Sequence, residues 1–375
     1  MVPCRILHVL GRLDRGGTET LIMNWYRCID QSKVQFDFVI HTNEQCSYTT
    51  EIEQLGGKIY SVPQYCGKNH FDYCRAWELF FSIHPEYQLI HGHIRSTAAI
   101  YLRIAKKYGL KTIAHSHSTS SGNGFTGLVK NILQYPIRNL ADYCWACSLE
   151  AGEYLYGKRV CDGSKFRVIN NAIHVEAFSF VSVIREQYRK MLSLGENTVI
   201  GHVGRFTPQK NHAFLLKVFI EYHAKQPKSK LIIIGVGPLY EAFCEDVKKA
   251  GIKDDVIILR DRSDIPQLMQ AMDVFLFPSL FEGLGIVAVE AQAAGLNCIA
   301  SESVPRAAKA TDNITFLPIS QENDVSKWVS EIIRITSVAR PREKQDKNII
   351  AAGYDIKEET NKLLGYYRDI LSSGE

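Results

Sequence analysis

Residues 277–301 read FPSLFEGLGIVAVEAQAAGLNCIAS. The apolar run Val274–Phe277 leads into this stretch as a strand, and Gly283 and Gly285 mark a loop after it. An apolar helix follows to about Ala294, Gly295 is placed to stop it, and Cys298–Ser301 reads as a strand again. Glycine just past the last helical residue is a common stop, because it takes left-handed backbone angles without a Cβ penalty. Strand, loop, helix and strand in that order make two parallel neighbours joined by a crossover helix.

The alternation extends outward in both directions. Upstream in the same half, Val199–Val203, Leu231–Gly235 and Val256–Leu259 read as strands, and Ile314–Leu317 follows downstream. Helical segments Ala213–Lys225, Leu239–Ala250 and Ile265–Met272 separate them. The front half repeats the pattern with Arg5–Leu10, Phe36–His41, Lys58–Val62, Leu89–His93, Thr112–His117, Tyr143–Ser148 and Phe166–Asn170. Amphipathic stretches such as Thr18–Cys28 and Thr97–Tyr108 lie between these. The reading is α/β, with two doubly wound, Rossmann-like domains in series. A chain of 375 residues has the length for both, and with 46% hydrophobic residues neither needs a disulfide or metal staple. The boundary is expected in the polar, helix-prone stretch Phe180–Asn197. This sets a first domain 1–184 against a second 185–353, with a further helix at 354–375. Ligands of such sheets sit at the carboxyl ends of the strands, so the cleft between the domains is the expected site.

The loop and helix of the opening segment suit a diphosphate. Gly283 and Gly285 let the backbone come close to a ligand, and the free N–H groups of a helix start attract anions. Glu282 and Glu290 are eight residues apart, at most about 12 Å along a helix, a span that matches a nucleotide sugar with its diphosphate in the middle. One carboxylate would accept from sugar hydroxyls and the other from ribose hydroxyls. Glu290 sits among Val287, Ala288, Val289, Ala291, Ala293 and Ala294, where a carboxylate needs a partner. After the strand Val199–Val203 come Gly204, Arg205 and Lys210; a guanidinium fork and an ammonium on one strand-end loop suit the two phosphates. Gly235-Val-Gly237-Pro-Leu-Tyr240 is a partial dinucleotide fingerprint whose Pro238 and Tyr240 fit a nicotinamide-binding turn poorly.

These residues together resemble the retaining glycosyltransferases of family 4, which have the GT-B fold. Glu282 and Glu290 match that family's E-x7-E signature, and the surrounding sequence is most similar to bacterial capsular and exopolysaccharide enzymes. The resemblance implies that 1–184, completed by the C-terminal helix 354–375, is the acceptor-side domain and 185–353 the nucleotide-sugar-binding domain, with Glu282 contacting the donor sugar and Glu290 the ribose. It makes Arg205 and Lys210 the family's G-R…K-N element, with donor contacts also from Gly204, Gly283, Leu284 and Gly285. The family has Pro where this chain has Gly285. Gly11-Arg-Leu-Asp-Arg-Gly16-Gly17-Thr-Glu19 resembles its G-G-x-E loop, so Gly16 and Gly17 join the donor-binding set. His117 falls at the position of the family's sugar-contacting histidine, and His115, on the same face of the strand, is the alternative. Asn170–His174 stands where the family has N-G-I-D, departs from it at Ala172 and His174, and receives no role. The reaction implied is transfer of a hexose-type sugar, with retention, from a nucleotide-diphosphate donor such as a UDP-sugar to a glycan or lipid-linked acceptor. His117, Arg205, Lys210 and Glu282 are the residues on which it would depend. A nucleotide-sugar epimerase on the same fold, or a non-catalytic nucleotide-sugar-binding protein, are the alternatives.

Other features narrow the setting. No D-x-D triad is present, so no metal and no cofactor are expected. The H-x-H pair His115/His117 raises zinc, but no third and fourth ligand cluster accompanies it locally, and His91 and His93, a second H-x-H one strand earlier, are read as acceptor-side or structural. Cys144 and Cys147 fall within a strand and read as buried structural thiols. Ten scattered cysteines, a start unlike a signal peptide and the lack of a long uncharged apolar run point to the cytoplasm. No nucleic-acid partner is expected. Phe125–Arg138 mixes apolar residues with Lys130 and Arg138 and has no acid. It reads either as a peripheral contact with an anionic membrane or as a helix packed on its own sheet with a kink at Pro136.

Overall fold

The computed structural model describes residues 3–118, 124–321, 323–338 and 341–372. It divides into two units, Met1–Ile173 with Asp355–Glu375, and His174–Tyr354.

The first unit is built on strands β1 (Cys4–Val9), β2 (Val34–Ile40), β3 (Ile59–Ser61), β4 (Leu89–Gly92), β5 (Lys111–Ser116), β6 (Tyr143–Ala146) and β7 (Phe166–Val168). Their order is β3-β2-β1-β4-β5-β6-β7, with every pairing parallel. The chain winds outward from β1 to β3, then returns to the other side of β1 and winds outward to β7. Two apolar layers, one on each face, account for the near-continuous burial of these strands. Trp25, Tyr26, Phe36 and Phe38 anchor one layer, and Tyr73, Trp77, Phe81 and Tyr101 the other. The helix Ile356–Ser372 belongs to this unit and buries Leu363, Tyr367 and Ile370 in the first layer. Cys144 and Cys147 are fully buried, and burial pushes the Cys144 thiol up to about 12.

The second unit repeats the scheme with β8 (Thr198–Val203), β9 (Ser229–Ile234), β10 (Val256–Leu259), β11 (Val274–Phe277), β12 (Asn297–Ser301) and β13 (Ile314–Leu317). Its order is β10-β9-β8-β11-β12-β13, again all parallel. Here the winding reverses between β8 and β11. The helix Ile286–Ala293 joins β11 to β12. It ends at Gly295, which has φ +72°, and the Arg342 guanidinium donates to the Ala294 carbonyl just beyond it. Arg342 also donates to the carbonyls of Met269, Gln270 and Met272, so one half-buried cation holds two helix C-termini.

The stretch expected to link the domains does not do so. Ser182–Met191 is a helix of the second unit, and the division falls at residues 173 and 174 rather than 184 and 185. The helix buries none of its side chains, which is why its sequence reads as a linker. It is held by charge instead: Arg185 and Arg189 both pair with Asp273, at 2.6 and 3.3 Å, and Arg185 donates to the Met272 carbonyl.

Candidate active site

In each unit candidate residues lie where the strand order reverses, the place at which open α/β sheets bind ligands, and His117, after β5, lies one strand from that point in the first unit. In the second unit these are the loops after β8 and β11. Gly204 leaves β8 with its N–H donating to the Ile234 carbonyl. A Cβ at Gly204 would lie 2.8 Å from the His202 ring and 3.2 Å from the Lys210 stem. A Cβ at Gly235 would lie 2.1 Å from the Gly204 carbonyl, and one at Gly237 2.5 Å from that of Phe206. The partial fingerprint therefore has its glycines because the β8 and β9 loops lie backbone to backbone.

Arg205 is exposed. Lys210 ends the short 3-10 turn Pro208–Lys210, and Asn211, left-handed at φ 53°, turns the chain into the helix His212–Lys225. That turn aims the Lys210 ammonium back across the sheet edge. It donates to Glu282 Oε1 at 2.6 Å and lies 4.8 Å from the centre of the Phe277 ring. Glu282 is buried, so the pair is largely shielded from water. Gln209 fastens the same loop, accepting from the Leu280 N–H and donating to the Phe281 carbonyl. Ser301 donates to the Ser279 carbonyl from the neighbouring strand. Neither Gln209 nor Ser301 stands out in the sequence, since amide and hydroxyl side chains that brace a loop carry no spacing signal.

Gly283, Leu284 and Gly285 are buried around the start of the helix Ile286–Ala293. Gly285 caps that helix at φ 86° and ψ 50°, angles closed to proline. Glu290 lies one helical turn from the helix end, half-buried. Burial pushes its carboxyl up to about 7, with the Lys210 charge opposing that rise. No hydrogen bond reaches the Glu290 carboxylate among the described residues, so the expected partner is not another side chain of this unit. His202, missed in the sequence, is fully buried beside Gly204 and Lys210; its Nδ1 lies 2.8 Å from the Leu276 carbonyl oxygen.

In the first unit, Gly16 and Gly17 open the helix Gly17–Cys28 directly after β1. A Cβ on Gly16 would meet the Glu19 carboxylate at 2.3 Å, whereas Gly17 borders open space. Gly16 thus leaves room for Glu19, and Gly17 leaves its backbone accessible. His93 and His117 lie one residue beyond β4 and β5, not within them as expected. His115 is 1% exposed and deep in the unit, while His117 is half-buried at the rim. Burial and the nearby Arg95 charge hold His117 neutral, down to about 3.

The expectation that the His115/His117 pair lacks companions is corrected. The β1–β4 register sets His8 opposite His91, and the H-x-H period of two keeps both pairs on one face, so five histidines converge. His8 Nδ1 is 3.0 Å from His93 Nε2, and His93 Nδ1 is 2.8 Å from His117 Nε2. His91 joins His115 at 3.0 Å and the Tyr367 hydroxyl of the C-terminal helix at 2.7 Å. Sequence adjacency hid this because the partners arrive from three strands.

Two family models match the chain, one described as glycosyl transferases group 1 over residues 184–352, the other as glycosyltransferase family 4 over residues 15–177. A Bacillus subtilis (strain 168) protein named as a glycosyltransferase, EpsF, is 34% identical over 97% of this chain and 96% of its own length. The chain belongs to glycosyltransferase family 4. This glycosyltransferase is also 26% identical to an Escherichia coli UDP-Gal:alpha-D-GlcNAc-diphosphoundecaprenol alpha-1,3-galactosyltransferase, over 76% of each chain. Among solved structures, Anabaena Alr3699/HepE in complex with UDP superposes with a TM-score of 0.79 at 17% identity, covering 98% of this chain and 100% of its own. WaaG, a glycosyltransferase involved in lipopolysaccharide biosynthesis, gives 0.68 at 14% identity, covering 95% of each chain. The glycosyltransferase therefore has the GT-B architecture.

Proposed function

We propose that this glycosyltransferase moves a hexose-type sugar, with retention of anomeric configuration, from a UDP-sugar to a lipid-linked or glycan acceptor in exopolysaccharide synthesis. The observation that carries this reading is the set at the β8/β11 reversal: exposed Arg205, the shielded Lys210–Glu282 pair, and a Glu290 carboxylate with no hydrogen bond among the described residues. Arg205 and Lys210 supply positive charge for a diphosphate, and Glu282 keeps the Lys210 ammonium oriented. Glu290 is a charged acceptor for ribose hydroxyls, Glu282 and His117 are polar partners for the sugar, and Gly16 and Gly17 offer backbone to the donor. The coli relative's name supports the choice of a UDP-sugar and of a diphosphate-linked lipid acceptor.

In the proposed step the acceptor hydroxyl oxygen bonds to the anomeric carbon on the face from which the phosphate oxygen departs. The acceptor's proton passes to that departing oxygen, leaving glycosylated acceptor and UDP. Arg205, Lys210 and the amides at the start of the helix Ile286–Ala293 stabilise the charge that develops on the phosphate. Because cationic side chains do this, EDTA should leave transfer intact. Complete loss, restored by Mg²⁺ or Mn²⁺, would refute the metal-independent assignment.

We place the acceptor side at a membrane surface. On the helix Gly124–Gln134, Leu128 and Ile132 are 57% and 64% exposed, and among the positions whose burial is described only Gly127 and Gln134 are buried. Arg138, Lys158, Arg159 and Lys165 line a basic pocket of about 600 Å³ just past its end. The pairing of bare apolar side chains with nearby cations suits an anionic lipid interface. No helix among the described residues is long and apolar enough to cross a membrane. The deciding assay incubates the enzyme with UDP-sugars and a polyprenyl-diphosphate saccharide. Transfer supports the proposal, epimerised free sugar replaces it with the epimerase, and donor binding without turnover replaces it with a binding protein.

A further inference from the structure

The five histidines of the first unit do more than fill space. Two hydrogen-bonded chains run through them, one linking His8, His93 and His117, the other linking Tyr367, His91 and His115. A neutral imidazole has one N–H and one lone pair, so each chain can run head to tail, and the ring nitrogens at the imidazole ends are left over. They are His8 Nε2, His115 Nε2 and His117 Nδ1, all buried and without a partner among the described residues. Buried polar atoms in that condition are costly, and packing alone would be served by apolar rings.

His93, His115 and His117 each present a ring nitrogen within 4.8 Å of the other two. We propose that these three histidines bind a borderline divalent transition-metal ion such as Zn²⁺, with His8 and His91 holding the ligand rings in place from behind. A tetrahedral site with metal–nitrogen bonds of 2.0–2.1 Å needs nitrogens about 3.4 Å apart, so His93 and His117, now 2.8 Å apart, separate by roughly half an ångström. Half-buried His117 leaves a fourth position open to water. The ligands come from the ends of β4 and β5, so the ion ties together adjacent strands of a rigid sheet. The ligand group contains imidazoles and no carboxylate, which selects Zn²⁺, Co²⁺, Ni²⁺ or Cu²⁺ and disfavours Mg²⁺ and Ca²⁺. Arg95, bonded to the Ser118 carbonyl at 3.1 Å, brings positive charge near His117 and keeps the affinity moderate. The ion is not a participant in transfer: if His117 contacts the donor sugar, as proposed above, metal and donor compete for it.

Co²⁺ titrated into the metal-stripped full chain tests the site. The expected result is one equivalent bound, with visible d–d bands of nitrogen coordination, displaced by Zn²⁺ and not by Mg²⁺. His93→Gln and His115→Gln should each weaken binding roughly tenfold or more, and half-buried His117→Gln serves the same purpose if a buried variant does not fold. No Co²⁺ bands, intense thiolate charge-transfer bands from the free cysteines, or unchanged affinity in folded variants would overturn the site. A parallel transfer assay separates the two readings. Zn²⁺ inhibition competitive with the donor supports both, whereas Zn²⁺ bound at the histidines without inhibition removes His117 from the sugar and leaves the metal site standing.

Discussion

Glu290 combines two demands on one carboxyl. Burial raises it to about 7, so near neutral pH a substantial fraction carries a proton, yet a ribose diol is best held by the carboxylate. UDP affinity should therefore increase as pH rises from 6 to 8, and binding below pH 7 should release a proton. Calorimetry in buffers of different ionisation enthalpy measures that release, and its absence would count against the ribose role. Glu290→Gln should weaken UDP binding by about 1.5–3 kcal/mol, the worth of a charged acceptor. Stability moves the other way. The folded chain holds this proton more tightly than the unfolded chain, so the residue's contribution declines as pH rises from the usual glutamate range to about 7 and is flat above it. Gly285 makes a second argument at this scale. At φ 86°, with Phe277 2.8 Å from any added Cβ, Gly285→Ala should cost about 1–2 kcal/mol or more in denaturant unfolding. A neutral result would show that the loop has another conformation.

At the scale of elements, the strands and the helix that follows β11 were legible because parallel strands read as apolar runs between glycine-rich turns. Val256–Leu259, Val274–Phe277 and Ile314–Leu317 fall where the pattern put them. The helix Ser182–Met191 was misread because charge holds it to Asp273, and periodicity of apolar residues is blind to ion pairs. The histidine group was legible only as two separate pairs, since convergence depends on strand order. The pattern of Phe125–Arg138 fits either a membrane contact or a packed helix, and a binding experiment decides between them. Full-length enzyme should co-sediment with anionic vesicles at low salt and release as salt is added. Replacing Lys130 and Arg138 with Glu should weaken this several-fold, and a protein that ignores anionic vesicles has no such interface.

At the scale of the whole molecule, the first unit is assembled from two distant pieces of chain and the second from one. Tyr367 reaches His91 and packs near Phe36 and Trp145, so the returning helix is part of the first unit's interior. Removing residues 355–375 should abolish the first unit's cooperative unfolding transition while the transition of the second survives. Calorimetry reads both, and an unchanged profile would mean that the helix is an ornament.

That interruption also sets an order of birth. Domains emerging from a ribosome usually fold in the order they are made. Here the segment that appears first must wait, because the Ile356–Ser372 helix that completes its interior is translated after every residue of His174–Tyr354. The later-made half has all its parts while the earlier one still lacks Tyr367 and Leu363. During that interval His91 and the Trp25 layer stand uncovered, and they are the surface a chaperone on the nascent chain would find.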